Sequence, residues 1–113
     1  DTHFAHKTWH DISENISKIE YPMIGDPTHS LTYDFDVFDE NDGLAQRGSF
    51  IIDPEGKIVV YEVNAGNVGR NAEELLRRLH ACQFVYEHGN NVCPAKWKLG
   101  EKTIQTTIEN IGK

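Results

Sequence analysis

Two thiols, one arginine at a strand start and three histidines are the side chains of this 113-residue chain whose types and spacing could do chemistry. Cys93 lies in "GNNVCPAKWKLG", and Pro94 behind it pushes its backbone away from helical geometry. Its neighbours Asn90, Asn91, Lys96 and Lys98 are polar, which predicts a mobile, accessible thiol. The two lysines would lower its pKa only slightly. Nothing nearby supplies the helix N-terminus or histidine partner of a strongly activated thiolate, so Cys93 reads as a thiol that responds rather than attacks first.

Cys82 has a different setting. Leu75, Leu79, Cys82 and Tyr86 step by four, three and four, so its sulfur falls on the apolar face of a helix, as a small core residue. On that reading a Cys82 to Cys93 disulfide would require the helix end to unwind. Arg47 follows "DENDGLAQ" and opens the strand "GSFIID", where a guanidinium can point into a cleft or pair with Asp39, Glu40 or Asp42. His3, His6 and His10 stand at i, i+3 and i+7, a spacing that could offer imidazoles to one metal, but no carboxylate or cysteine completes a ligand set. Trp9 and Trp97 read as packing residues. Gly66 and Gly69 in "NAGNVGR" lack the strand, third glycine and helix of a phosphate loop, and mark a turn.

These side chains need elements to position them. Trp9, Ile12, Ile16 and Ile19 predict a helix from about His6 to Lys18, and "YPMIG" a short strand with Pro22 at its end. Leu31 to Phe35 suggest a brief helix, and "DENDG" a loop. In "RGSFIIDPEGKIVVYEVNA" two β-rich runs flank Asp53-Pro54-Glu55-Gly56, a β-hairpin signal. "NAEELLRRLHACQFVYEHG" predicts a helix opened by Asn71 and Glu74 in a capping-box arrangement and closed at Gly89. Ile104, Ile108 and Ile111 suggest a short terminal helix.

The order is α/β, as in the C-terminal part of a thioredoxin-like fold, with too few strands for a broad sheet. Eighteen acidic against eleven basic residues give a net charge of −7 without a basic run, which argues against nucleic acid as a partner. There is no membrane-length apolar segment and no secretory signal, which predicts a cytoplasmic protein, and two cysteines are too few for a disulfide scaffold. The abrupt Asp1-Thr2 start suggests a processed product or part of a longer protein.

The strings "DTHFAHKTWH", "YPMIGDPTHSLTYDFDV", "GLAQRGSFIIDPEGKI", "VGRNAEELLRRLHACQ" and "VCPAKWKLGEKTI" together closely resemble the bacterial alkyl hydroperoxide reductases of the AhpC type, which are typical two-cysteine peroxiredoxins. The resemblance runs along essentially the whole chain. It implies residues 1–88 as the C-terminal part of a thioredoxin-like domain and residues 89–113 as a tail with the resolving cysteine. Cys93 in "VCPAKW" matches that cysteine. Arg47 in "AQRGSF" matches the arginine that stabilises the peroxidatic thiolate and the developing oxyanion.

The family's Pro-x-x-x-Thr-x-x-Cys motif does not occur in these residues, and Cys82 matches no family cysteine. The resemblance therefore implies a peroxidase for hydrogen peroxide and organic hydroperoxides whose first nucleophile is outside these residues, so that the chain alone would be inactive. It further implies an intersubunit disulfide, a homodimer joined along "KIVVYEV" and assembled into a ring, expected to be a decamer. No cofactor is expected to be bound; electrons would come from NADH through an AhpF-like flavoprotein reductase or from a thioredoxin-like donor. There is no Gly-Gly-Leu-Gly before "YPMIGD" and no Tyr-Phe after "ENIGK", a pattern the resemblance associates with resistance to overoxidation. Two rival readings are a non-enzymatic module that binds partners through its hairpin edge and a histidine metal site.

Overall fold

The computed structural model describes residues 1–112, and two compact units meet between Gln46 and Arg47. In the first unit, helix α1 (His3–Ile12) starts earlier than its apolar spacing suggests, because Thr2 caps it: the Thr2 hydroxyl accepts the Ala5 N–H at 3.2 Å. It also stops sooner. Ser13 is extended, and Ile16–Lys18 form a separate 3₁₀ turn, so the isoleucine period runs across a break that it does not encode.

The segment "YPMIG" is not a strand. A strand needs a neighbour to pair with, and the backbone bond made at this segment's end runs from Asp26 N–H to Asp1 O at 2.9 Å. That close approach needs Gly25, since a Cβ there would stand 2.7 Å from His3 N. Asp26 then anchors helix α2 (Ser30–Asp34). Its carboxylate accepts the Leu31 and Thr32 N–H groups and, at 2.7 Å, the hydroxyl of buried Thr32, which holds Asp26 below the usual carboxylate range. The acidic "DENDG" loop proves to be the turn of a small hairpin, β1 (Phe38–Asp39) with β2 (Leu44–Ala45). Val37 is the buried apolar residue of this unit.

The second unit is built on the predicted hairpin. Strands β3 (Arg47–Ile52) and β4 (Ile58–Asn64) pair antiparallel from Arg47 opposite Asn64 to a register shift at Ile51/Ile52. Asp53 makes the turn: its carboxylate accepts the Glu55 and Lys57 N–H groups at 2.9 Å, and Gly56 takes a φ of 83°. A two-stranded ribbon is marginal alone. Ile51 is buried, but Ile52, Ile58, Val59, Tyr61 and Val63 are exposed.

Helix α3 (Ala72–Glu87) opens at Asn71, whose side chain accepts the Glu73 and Glu74 N–H groups. The capping box is not completed. Glu74 turns instead to Arg77 at 2.7 Å and Arg78 at 3.1 Å, and Arg78 reaches Glu62 on β4 at 2.7 Å, tying helix to ribbon. The predicted terminal helix is replaced by a second short pairing, β5 (Asn91–Val92) with β6 (Ile104–Gln105), then a 3₁₀ turn at Ile108–Asn110. Thr103 and Thr106 favour this outcome, since their hydroxyls bond to Asn91 Oδ1 and Asn90 O at 2.8 Å. Ile108 and Ile111 stay exposed.

Candidate functional site

Cys93 immediately follows β5, and the segment after it is docked rather than loose. Trp97 fixes it: the side chain is 2% exposed, its ring lies 5.3 Å from that of Phe84 on α3, and its Nε1–H donates to Glu101 O at 3.0 Å. Arg77 adds a clamp from the helix, its Nη1 donating to Trp97 O at 3.0 Å. The Cys93 thiol is half-buried and donates weakly to Ala81 O at 3.9 Å. The expectation of an accessible thiol is thus corrected: Cys93 is half-buried against α3, with a buried indole four residues on.

The electrostatics follow from that docking. Burial pushes the Cys93 thiol above its ordinary value, Cys82 adds to the rise, and Arg77 opposes it. The lowering expected from the lysines comes instead from Arg77, and the net direction is upward. A raised thiol pKa leaves less thiolate, the form that attacks.

Cys82 is also half-buried and also raised by burial. The face that carries it lines an open groove of about 980 Å³ between the hairpin tip, the second half of α3 and β5. Ile51, Ile52, Val59, Leu79, Cys82 and Cys93 all contribute to its wall. Cys82 is therefore not sealed in a core away from Cys93; both residues line one groove.

Arg47 stands at the other end of β3, roughly 16 Å from Ile52 at the usual rise per residue. Among the described residues it is held by the loop after β4, where its Nε donates to Gly66 O at 2.7 Å. Sequence reading missed a second arginine there. Arg70 donates through Nη1 to Gly48 O at 2.7 Å and to Ser49 Oγ at 3.2 Å, so two guanidiniums are fixed at one end of the ribbon. The turn through Gly66 and Gly69 is what brings them in, with Asn64 Nδ2 donating to Gly69 O. Arg47 and Cys93 are thus not gathered into one site within the chain. Arg77 was missed as well, because one member of an "RR" pair on a helix has no local mark of a distant partner.

The histidines go elsewhere. His10 Nε2 lies 3.2 Å from Ile19 O, the His3 ring packs on Phe4, and among the described residues no three His, Cys, Asp or Glu side chains gather as metal ligands. Among the described residues no helix is long and apolar enough to cross a membrane.

Comparison with known proteins gives the setting for this geometry. Residues 1–61 match the AhpC/TSA family, and residues 81–111 match the C-terminal domain of 1-Cys peroxiredoxin. Alkyl hydroperoxide reductase C of Staphylococcus epidermidis (strain ATCC 12228 / FDA PCI 1200) is 52% identical over all 113 residues, and that of Bacillus subtilis (strain 168) is also 52% identical. The chain spans 60% of the length of each. Enterococcus faecalis AhpC is 55% identical with a TM-score of 0.78, over 83% of this chain and 56% of that one. Reduced 2-Cys peroxiredoxin of Plasmodium vivax is 28% identical with a TM-score of 0.89, over 99% of this chain and 58% of that one. The fold is that of a peroxiredoxin, the thioredoxin-like α/β class, and these residues form part of it. The chain belongs to the AhpC/TSA family, the peroxiredoxins.

Proposed function

We propose that this chain carries the resolving half of a two-cysteine thiol peroxidase acting on hydrogen peroxide and organic hydroperoxides. The single observation that carries the proposal is the placing of Cys93: a half-buried thiol, its pKa raised by burial, on a short docked segment that one tryptophan anchors. In the proposed cycle a peroxidatic cysteine from the other protomer becomes a sulfenic acid. Cys93 is released from α3, its thiolate attacks the sulfenic sulfur, the S–S bond forms, the S–O bond breaks and water leaves. An AhpF-like flavoprotein drawing on NADH, or a thioredoxin-like protein, then reduces the intersubunit disulfide, and the chain itself holds no cofactor.

Arg47 acts at the peroxide step, not at resolution. Its separation from Cys93 supports this division, because the arginine serves the peroxidatic sulfur while Cys93 serves the partner's site. Exposed apolar residues along β4, among them Val59, Tyr61 and Val63, support pairing of that strand with its twin in a dimer that assembles into a ring, with a decamer as the proposed size. The functional division is then 1–88 as scaffold and 89–113 as the arm bearing the resolving thiol, in a cytoplasmic enzyme. Lacking Pro-x-x-x-Thr-x-x-Cys, these residues alone would not turn over peroxide.

Cys93→Ser in the full-length protein tests the assignment. Steady-state turnover with the reductase should collapse, while the first reaction with peroxide, followed by trapping the sulfenic acid, should proceed at the wild-type rate. Wild-type turnover in the variant would sink the proposal.

A further inference from the structure

Cys82 has no part in that cycle, yet it shares the groove with Cys93. The Cys93 sulfur lies 3.9 Å from Ala81 O, and standard peptide dimensions then place it within about 7 Å of the Cys82 Cα. A bridge needs the two Cα atoms about 4.4–6.8 Å apart, so the Cys93 segment, whose sulfur already rests against this turn of α3, must shift to close it. The rest of the surroundings favour adjustment: β5 is two residues long, Cys93 lies just beyond its end, and the groove is open.

We propose that Cys82 and Cys93 form a second redox pair within one chain: when Cys93 is held in a mixed disulfide, Cys82 attacks it and closes an intrachain Cys82–Cys93 disulfide. The steps balance. The Cys93 thiolate first attacks a disulfide R–S–S–R, forming Cys93–S–S–R and expelling one thiolate. Cys82 then loses its proton to solvent and attacks the Cys93 sulfur; the new S–S bond forms, the bond to R breaks, and a second thiolate leaves. The oxidant is the disulfide, an added small molecule or the mixed disulfide that Cys93 makes with a peroxidatic cysteine. In the latter case the exchange frees the peroxidatic thiol and leaves the oxidising equivalents in this chain. Neighbouring thiols on one surface act on each other at effective concentrations of about millimolar, above that of a dilute reagent, so the internal step wins.

The 113-residue chain, reduced and native, is treated with one equivalent of a chromogenic aromatic disulfide, dithiobis-nitrobenzoate. The expected wild-type result is release of two nitrothiolates per chain and a monomer lighter by two hydrogens, whose peptide map joins Cys82 to Cys93. Cys82→Ser and Cys82→Ala should each release one nitrothiolate and retain the aromatic adduct on Cys93. Retention of the adduct by wild-type protein, a dimer joined by disulfide, or no reaction would each overturn the pair. This experiment needs neither peroxide nor reductase, so its outcome is separate from that of the peroxidase proposal.

Discussion

Replacing Trp97 by alanine should release Cys93 without dismantling the helix it docks on. The indole is 2% exposed, packs on Phe84 and donates to Glu101 O. Truncating a buried tryptophan costs about 3–5 kcal/mol, and each 1.4 kcal/mol is about tenfold in an equilibrium, so the released population should rise by about two to three and a half orders of magnitude. Cys93 is only half-buried when docked, so part of its labelling proceeds without release and the observed gain is smaller. A bulky maleimide narrows that route. Its rate at Cys93 in the 113-residue chain should increase at least about tenfold in Trp97→Ala, and by an intermediate factor in Trp97→Phe, which keeps a ring but loses the Nε1–H donor. Far-UV circular dichroism checks that α3 persists. A Trp97→Ala rate within about twofold of wild type, with helicity unchanged, would refute the idea that this residue holds the thiol in.

Two further outcomes test the charges. Arg77 beside Glu74 holds the Glu74 carboxyl down to about 2, so its contribution to stability is present above the usual value of 4.5 and is lost as pH falls toward 2. Melting temperatures measured down that range should fall more steeply for wild type than for Glu74→Gln; parallel curves would remove Glu74 from the account. In the full-length protein, Arg47→Lys keeps the charge but loses the planar donor that reaches Gly66 O, and should slow sulfenic acid formation by about tenfold or more while leaving the resolving step, timed by disulfide formation after a peroxide pulse, unchanged. An unaffected first step would detach Arg47 from peroxide chemistry.

What could be read from the sequence was what neighbouring residues decide among themselves. The β3–β4 hairpin was legible because Asp53, Pro54 and Gly56 make the turn with their own backbone and side chains. Helix α3 was legible from its cap and apolar period, but Glu74 had two possible partners in reach, and two arginines outcompeted the Asn71 N–H. "YPMIG" has strand-like composition and no strand partner, and pairing is a property of the neighbour as much as of the segment. The isoleucines near the end kept a helical spacing while two threonine hydroxyls committed the chain to pair with residues about 12 to 16 positions earlier. The candidate site divides in the same way. "VCPAKW" marked Cys93 by family pattern, whereas its docking depends on Arg77 and Phe84, 20 and 13 positions from Trp97, which no local signal could show.

The proposed role raises an apparent conflict, since a resolving cysteine must be nucleophilic and burial raises the pKa of this one. The conflict dissolves once docking and ionisation are treated as linked. Burial is the largest cause of the raised Cys93 pKa, and Trp97 and the groove impose that burial only while the segment is seated. Released, the thiol returns toward its ordinary pKa, so a larger fraction is thiolate when the arm is free to reach a partner than when it is stowed. The linkage runs in both directions: protonation favours the seated state, with that contribution complete below the ordinary thiol pKa and lost as pH rises through the raised one. Arg77 opposes this by favouring the seated thiolate. A single tryptophan thus sets position and reactivity together. Cys82, raised by burial as well, lines the same groove.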